Sequence, residues 1–292
     1  MEGMKKEKKD KTVKNPLYTV ESLEIRRGQK KRRDLTTAFG FLRAHKGLRK
    51  GKLHVLLSRT GGGKSTLGRS ILFDALDNNP DLIVFIYLSE EQERDFLDAL
   101  AETNYANQEG LDRIRVYSEK DNGGLSVEEL ETRIEYEGAG LFILDNITTW
   151  DNYENEHVST QGAMVKQISK AAGRLNIPFF ILSHTRAEVT KGLNRPIDVS
   201  DVRGSKQLSN YAEFFYILQS FERDQTDSEV GHYTSQRKRM VHNCLQIEKC
   251  RTEKLKHPLW LLVFSEEKRI YDSDVDINYE SFKRFFTERN RL

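Results

Sequence analysis

SRTGGGKST, residues 58 to 66, follows the apolar run Leu53 to Leu57 and precedes a helical pattern from Leu67 to Leu76. A strand, a glycine-rich turn and a helix in that order make a phosphate-binding P-loop. Gly61, Gly62 and Gly63 let the backbone close tightly, so that amide N–H groups point inward at a polyphosphate. Lys64 then reaches the outer phosphates and the Ser65 hydroxyl belongs on Mg²⁺, while the positive end of the following helix adds to the site. Ser58 stands where the common pattern has its first glycine.

The chain has 292 residues, of which 37% are hydrophobic, enough to bury a substantial core in one α/β domain with an extension. Charged residues make up 32%, yet the formal net charge is only +2. Attraction to nucleic acid must therefore come from local patches. Cys244 and Cys250 lie in an apolar segment without a histidine cluster at metal-ligand spacing, and read as reduced core or near-core thiols. No apolar run approaches the roughly 20 residues needed to cross a bilayer, and the Lys-rich start has no apolar segment behind it. These features point to a soluble protein of the cytoplasm, without a membrane partner. The short format suggests a phage or plasmid, in which case that cytoplasm is the bacterial host's.

Residues 1 to 34 carry KKEKK and, at Lys30 to Arg33, KKRR, with few large apolar groups. They read as a basic, flexible arm, either a solvated tail or a contact to nucleic acid or a neighbouring subunit. From residue 35 apolar runs alternate with helical patterns. Strands are expected at Leu53 to Leu57, Leu82 to Leu88, up to Tyr117, Leu141 to Asp145 and Phe179 to Ser183, with helices from Lys64, Glu91, Ser126 and Val158. Unalternated apolar runs suit strands covered on both faces, as in a parallel sheet flanked by helices. FFYIL at 214 to 218, NCLQIEK at 243 to 249 and LWLLVF at 259 to 264 lack intervening helical patterns and predict hairpin-connected or edge strands. The domain is expected to span 35 to 272, with a charged C-terminal helix or tail from 273 to 292.

Asp145 ends the apolar LFILD run, where a carboxylate downstream of a P-loop holds Mg²⁺; a strand-end cap of the next turn is the alternative. Glu90 and Glu91 end another strand, and Glu90 is the better candidate for the base that activates water. Either glutamate can instead serve the positive start of the following helix. His184 ends a strand where a side chain can sense a terminal phosphate, although a lone histidine is commonly structural. The loop after it carries Arg186, Lys191, Arg195, Arg203 and Lys206 without an aromatic residue, a composition that grips phosphates rather than stacking bases.

With these residues in view, the chain resembles the RecA-like motor domain of DnaB-type hexameric replicative helicases. It looks most like the helicase half of phage primase-helicases and their mitochondrial relative Twinkle. YLSEE resembles the catalytic-glutamate strand end, LFILDN the Walker B strand and ILSHTR the strand with a histidine phosphate sensor. SDVRGSKQLSNYAE is similar to the segment that touches single-stranded DNA, with RGSK in place of RGSG, which carries over Arg203, Gly204, Ser205 and Lys206. QSFERDQ resembles the stretch whose arginine stacks on adenine, here Arg223, and Phe264 sits where the family has an aromatic on the other face of the base. LQIEKCR is similar to the strand ending in Lys-x-Arg, which makes Arg251 the arginine finger and Lys249 its companion.

The resemblance covers about residues 35 to 272. It implies a RecA-like P-loop NTPase fold with a mostly parallel sheet and C-terminal antiparallel strands. ATP and Mg²⁺ would sit between subunits, held by Ser58, Gly61, Gly62, Gly63, Lys64, Ser65 and Thr66 of one and by Arg251 and Lys249 of the next. It further implies 5′ to 3′ translocation on single-stranded DNA by a hexameric ring, with a separate primase and replisome proteins as partners. The rival is a RecA/RadA-like recombination ATPase that remodels DNA without processive unwinding, since it shares the first three motifs.

Overall fold

In a computed structural model, the described residues are 34–103, 105, 108–186, 196–204, 206–224, 239–251, 259–264 and 270–276. Residues 1 to 33 of the arm expected at 1 to 34, and residues 277 to 292 of the tail expected from 273, lie outside them. The described residues, from Asp34 to Asp276, form one compact unit.

Strand β1 (Leu53–Ser58) runs into the P-loop and helix α1 (Lys64–Asn78). The alternation continues through β2 (Val84–Leu88), α2 (Glu93–Ala101), β3 (Ile114–Ser118), α3 (Val127–Tyr136), β4 (Leu141–Asp145), α4 (Val158–Leu175) and β5 (Phe179–His184). Four further strands follow: β6 (Phe214–Asp224), β7 (Arg239–Cys250), β8 (Leu259–Phe264) and β9 (Ile270–Asp276). They build one nine-stranded sheet in the order β3-β2-β4-β5-β1-β6-β7-β8-β9. The pairs from β3 across to β6 are parallel; β7, β8 and β9 are added antiparallel.

The uninterrupted apolar runs behave as their composition demands. Every residue of β1, β2 and β5 is buried, because alternate side chains enter two cores, one on each face of the sheet. Leu56, Ile86, Ile143 and Leu182 pack with α1 residues Leu67, Ile71 and Leu72 on one face. Val55, Leu57, Phe142 and Ile181 pack with α4 residues Val165, Ile168 and Ala172 on the other. Local signals set the helix starts: α3 opens on a capping box in which the Ser126 Oγ accepts from the Glu129 amide and the Glu129 carboxylate accepts from the Ser126 amide.

The expected hairpin-connected strands are present, with β6 antiparallel to β7 and β7 antiparallel to β8. FFYIL does not stand at an edge: β6 lies inside the sheet, its other side parallel to β1, with Val55 opposite Phe215 and Ser58 opposite Leu218. A buried apolar run reads the same in either setting, and only the crossover after β5 reveals the direction. The sequence reading also passed over β9, whose IYDSDVD is too polar to stand out; it pairs with β8 and its Ile270 amide donates to Ser70 Oγ on α1 at 2.9 Å. This strand carries four residues past the domain boundary expected at 272. Cys244 is buried and Cys250 partly buried, the core and near-core positions expected of them.

Candidate active site

Parallel strands bring their C-terminal ends to one edge, and a site forms where the connections diverge. Here Ser58 is level with His184, and Leu88 with Asp145. The P-loop, the Glu90 turn, Asp145 and His184 therefore meet at one end of the sheet. Within the loop Gly61 and Gly63 have φ of 74° and 83°, left-handed values that other residues take only with strain. A Cβ on Gly62 would stand 3.0 Å from both the Arg59 carbonyl and Ser58 Oγ, whereas one on Gly61 would meet nothing within 4 Å. The loop is closed on itself at Gly62 and open at Gly61. Ser58 is buried and its Oγ donates to the Arg59 carbonyl at 2.9 Å, so it shapes the loop instead of facing a ligand.

Lys64 opens α1 with its side chain only 6% exposed, and its Nζ lies 3.4 Å from Asp145 Oδ1. Ser65, Arg69, Glu90, Glu91 and Asp145 line a cavity of about 280 Å³ beside it. Thr66 is half-buried on the first helical turn. Glu91 faces Arg69 at 3.6 Å, and burial raises its carboxyl above the ordinary value. Among the described residues no three His, Cys, Asp or Glu side chains cluster as an all-protein metal cage. That donor set suits Mg²⁺, which takes most of its ligands from phosphates and water and few from protein. Ser65 and Asp145, both at this cavity, fit it; the N-terminal end of α1 and Lys64 fit a polyphosphate.

His184 links the parts. Its Nε2 lies 3.2 Å from Glu90 Oε1 and 3.1 Å from Asn146 Nδ2, and its Nδ1 lies 3.4 Å from Thr60 Oγ1 in the P-loop. Asn146 is oriented by its own Oδ1, which accepts from the Thr148 amide at 2.9 Å, so its amino group turns toward Glu90 and His184. The hydrogen bond from His184, with help from Asn146 and the charge of Lys64, outweighs partial burial and holds the Glu90 carboxyl down to about 2. Asn146 and Thr60 were not singled out in the sequence; Asn146 in LFILDN was quoted only as part of a strand.

The same strand end reaches the basic segment. The His184 carbonyl accepts from the Arg203 amide at 3.1 Å, and Thr185 pairs with Val202. Arg186 donates to the carbonyls of Ser200 and Val202. Arg186, Gly204 and Lys206 line an open basin of about 920 Å³ together with Lys166, Ser159 and Gly162 of α4. Lys166 was missed because it sits in an amphipathic helix with no motif around it. Arg203 is not in the basin lining; its Nη2 pairs with Glu154 Oε1 at 3.1 Å. Lys191, Arg195 and Ser205 lie outside the described residues.

Register decides where the remaining candidates lie. Arg223 pairs with Met240 beyond the level of Ser58, and Phe264 pairs with Ile270, so the backbones of both stand at the P-loop end of the sheet. Lys249 and Arg251 are at the opposite end: the Arg251 amide donates to Glu213, whose amide donates to Leu53 at the start of β1. Lys249 Nζ and the Arg251 guanidinium both donate to the Asn210 carbonyl at the end of the short helix Gln207–Tyr211, and Lys249 also to Ser209. They do not join the P-loop of their own chain.

No family model matches the chain, and no curated protein matches it in sequence. Solved structures do. A DnaB-like replicative helicase, described with its interactions with primase, superposes with a TM-score of 0.63 at 16% identity, over 87% of this chain and 66% of that one. The ATPase domain of G40P gives 0.64 at 14% identity over 86% of this chain and 96% of that one. The fold is RecA-like, as in these ATPase domains. A KaiC-like protein from Pyrococcus horikoshii superposes with a TM-score of 0.60 at 12% identity, over 83% of this chain and 99% of that one. The chain spans just under two thirds of the helicase's length. No helix among the described residues is long and apolar enough to cross a membrane.

Proposed function

We propose that this chain is an ATP-driven DNA helicase motor that moves 5′ to 3′ along single-stranded DNA as a hexameric ring. The observation that carries the reading is the bond between the two halves of the site. His184 contacts Glu90 through its ring and Arg203 through its carbonyl, so a residue that can sense a terminal phosphate is built into the strand end that positions the basic segment.

In this reading the P-loop, Lys64 and Thr66 bind the triphosphate of ATP. Ser65 and Asp145 would hold Mg²⁺, which supplies charge neutralisation at the terminal phosphates. Glu90 orients and deprotonates the attacking water. A carboxylate held at about 2 is ionised but weakly basic. When His184 turns toward the terminal phosphate, Glu90 loses its main hydrogen bond and its basicity rises, so that hydrolysis awaits a correctly bound nucleotide. Arg223 and Phe264 flank the adenine. Arg251 with Lys249 reaches the next subunit's phosphates; their place at the far end of the sheet supports action in trans, and a positive group there stabilises charge on the transferring phosphoryl. Arg186, Lys191, Arg195, Arg203, Gly204, Ser205 and Lys206 hold DNA phosphates. The arm at 1 to 34 contacts DNA or a neighbouring subunit, and a separate primase is the expected partner in a phage or plasmid replisome of the bacterial cytoplasm.

The second reading, a RecA/RadA-like recombination ATPase, draws on the P-loop, the Glu90 strand end and the Asp145 strand, which such an enzyme shares. A forked-duplex assay separates them. The helicase reading expects ATP-dependent strand displacement from a fork with a 5′ tail; DNA-stimulated ATP hydrolysis with no displacement at any protein concentration would transfer the assignment to the recombination class.

A further inference from the structure

Among the described residues, the basin of about 920 Å³ collects Lys166, Arg186 and Lys206 and no carboxylate. Lys166 and Lys206 have no ion-pair partner among the described residues. Arg203 belongs to the same segment, one residue before Gly204, yet it is turned out of the basin by Glu154 at 3.1 Å. Both side chains of that pair are more than a third exposed, 48% and 37%. An ion pair in such contact with water is weak, and a nucleic-acid phosphate can compete for the guanidinium.

Glu154 is not an incidental surface group. It ends the short helix Asp151–Glu154, which follows directly on Asn146 and the turn Ile147–Thr149. That stretch is anchored at several points: Trp150 is buried with its Nε1 donating to the Leu125 carbonyl at 3.1 Å, and the Asp151 amide donates to Glu119 Oε1 at 3.0 Å. Tyr153 next to it packs on Gly204, where a Cβ would stand 2.9 Å from both Tyr153 Oη and Gln161 Oε1. The carboxylate is thus tied to the Asn146 side of the nucleotide site, while Arg203 is tied by its amide to His184.

We infer that Glu154 is a positioning residue that competes with nucleic-acid phosphate for Arg203, so that the spacing between the Asn146 turn and the His184 strand end sets how many phosphates the basic segment grips. A shift between these two elements frees or recaptures one cation. This inference rests on the single-stranded DNA reading of the basic segment.

The test compares wild type, Glu154→Gln, Arg203→Ala and the double variant for binding to fluorescent oligothymidylate across a salt series, with ADP and with a non-hydrolysable ATP analogue. Glu154→Gln is expected to bind about twofold to fivefold more tightly, the range an exposed ion pair covers. Its log-log salt slope should steepen by about 0.7, one further phosphate contact on a single strand. The difference in affinity between the two nucleotides should shrink, and the double variant should gain nothing over Arg203→Ala. A purely structural role for Glu154 would leave the salt slope unchanged. If Arg203→Ala weakens binding while Glu154→Gln matches wild type in affinity and slope, the competition is refuted and the DNA reading stands. If wild type binds no oligonucleotide with either nucleotide, the DNA reading itself falls, and this inference with it.

Discussion

Mixing Lys64→Ala subunits with Arg251→Ala subunits is expected to restore ATP hydrolysis that neither variant has alone. Arg251 is level with Leu53 through Glu213, and the P-loop begins after Ser58. Those five steps of strand, at 3.3 Å each, put about 17 Å between the arginine backbone and the near edge of its own P-loop. The arginine side chain cannot span that distance, and it points to Asn210 at the same far end. If it serves a nucleotide, that nucleotide belongs to a neighbour, in a head-to-tail contact whose two sides are different surfaces. An Arg251→Ala subunit still has a sound P-loop, and a Lys64→Ala subunit still has a sound finger. In an equimolar random ring each site draws one part from each of two neighbours, so about one quarter of sites are complete. Steady-state hydrolysis should therefore rise from near zero for each variant to about a quarter of the wild-type rate, with a maximum near equal mixing. Rings that form by native mass spectrometry but show no recovery at any ratio would refute action in trans.

Further outcomes follow from the geometry of the same site. Glu90 is depressed from 4.5 to about 2 by its hydrogen bond from His184. A depressed carboxyl contributes stability fully present above the ordinary value and lost as pH falls toward the folded one; the window is thus pH 4.5 down to about 2. His184→Asn should flatten the fall of stability with acid in that window, measured by urea unfolding at a series of pH values; an identical pH dependence in both proteins contradicts the contact. Gly204→Ala puts a side chain at φ 88° against Tyr153 and Gln161. The left-handed backbone alone costs about 1–2 kcal/mol, and oligonucleotide affinity should fall with it. A variant as stable as wild type in thermal unfolding would show that this backbone is not required.

Much of the candidate site was legible because it is local. The strand, the glycine turn and the helix of the P-loop are contiguous, and their chemistry follows from residue type at fixed spacing. Asp145, Glu90 and His184 could be found as polar residues closing apolar runs, since a buried strand can carry a carboxylate or imidazole only where it emerges at its end. Chain order does not say which ends are neighbours. That Ser58 is level with His184, and Leu88 with Asp145, depends on strand order, and it makes the Glu90, Asn146 and His184 cluster from segments far apart in sequence.

The basic segment divides the same way. Its charge and its resemblance to a DNA-contacting motif were visible in the chain, but Lys166 joins it only because α4 packs beside Gly204, and Glu154 meets Arg203 across forty-nine residues. The β6 direction and the β9 strand were likewise hidden, one because a doubly covered run carries no sense of direction, the other because polar alternation near an edge looks like loop. By itself the sequence determined that residues 58 to 66 form a glycine-rich turn between a strand and a helix and that the strands are covered on both faces, since local backbone chemistry and apolar runs dictate these. Tertiary structure alone decided that Arg251 stands at the far end from its own P-loop and that His184 joins Glu90 to Arg203, because register and strand order arise from packing the whole sheet at once.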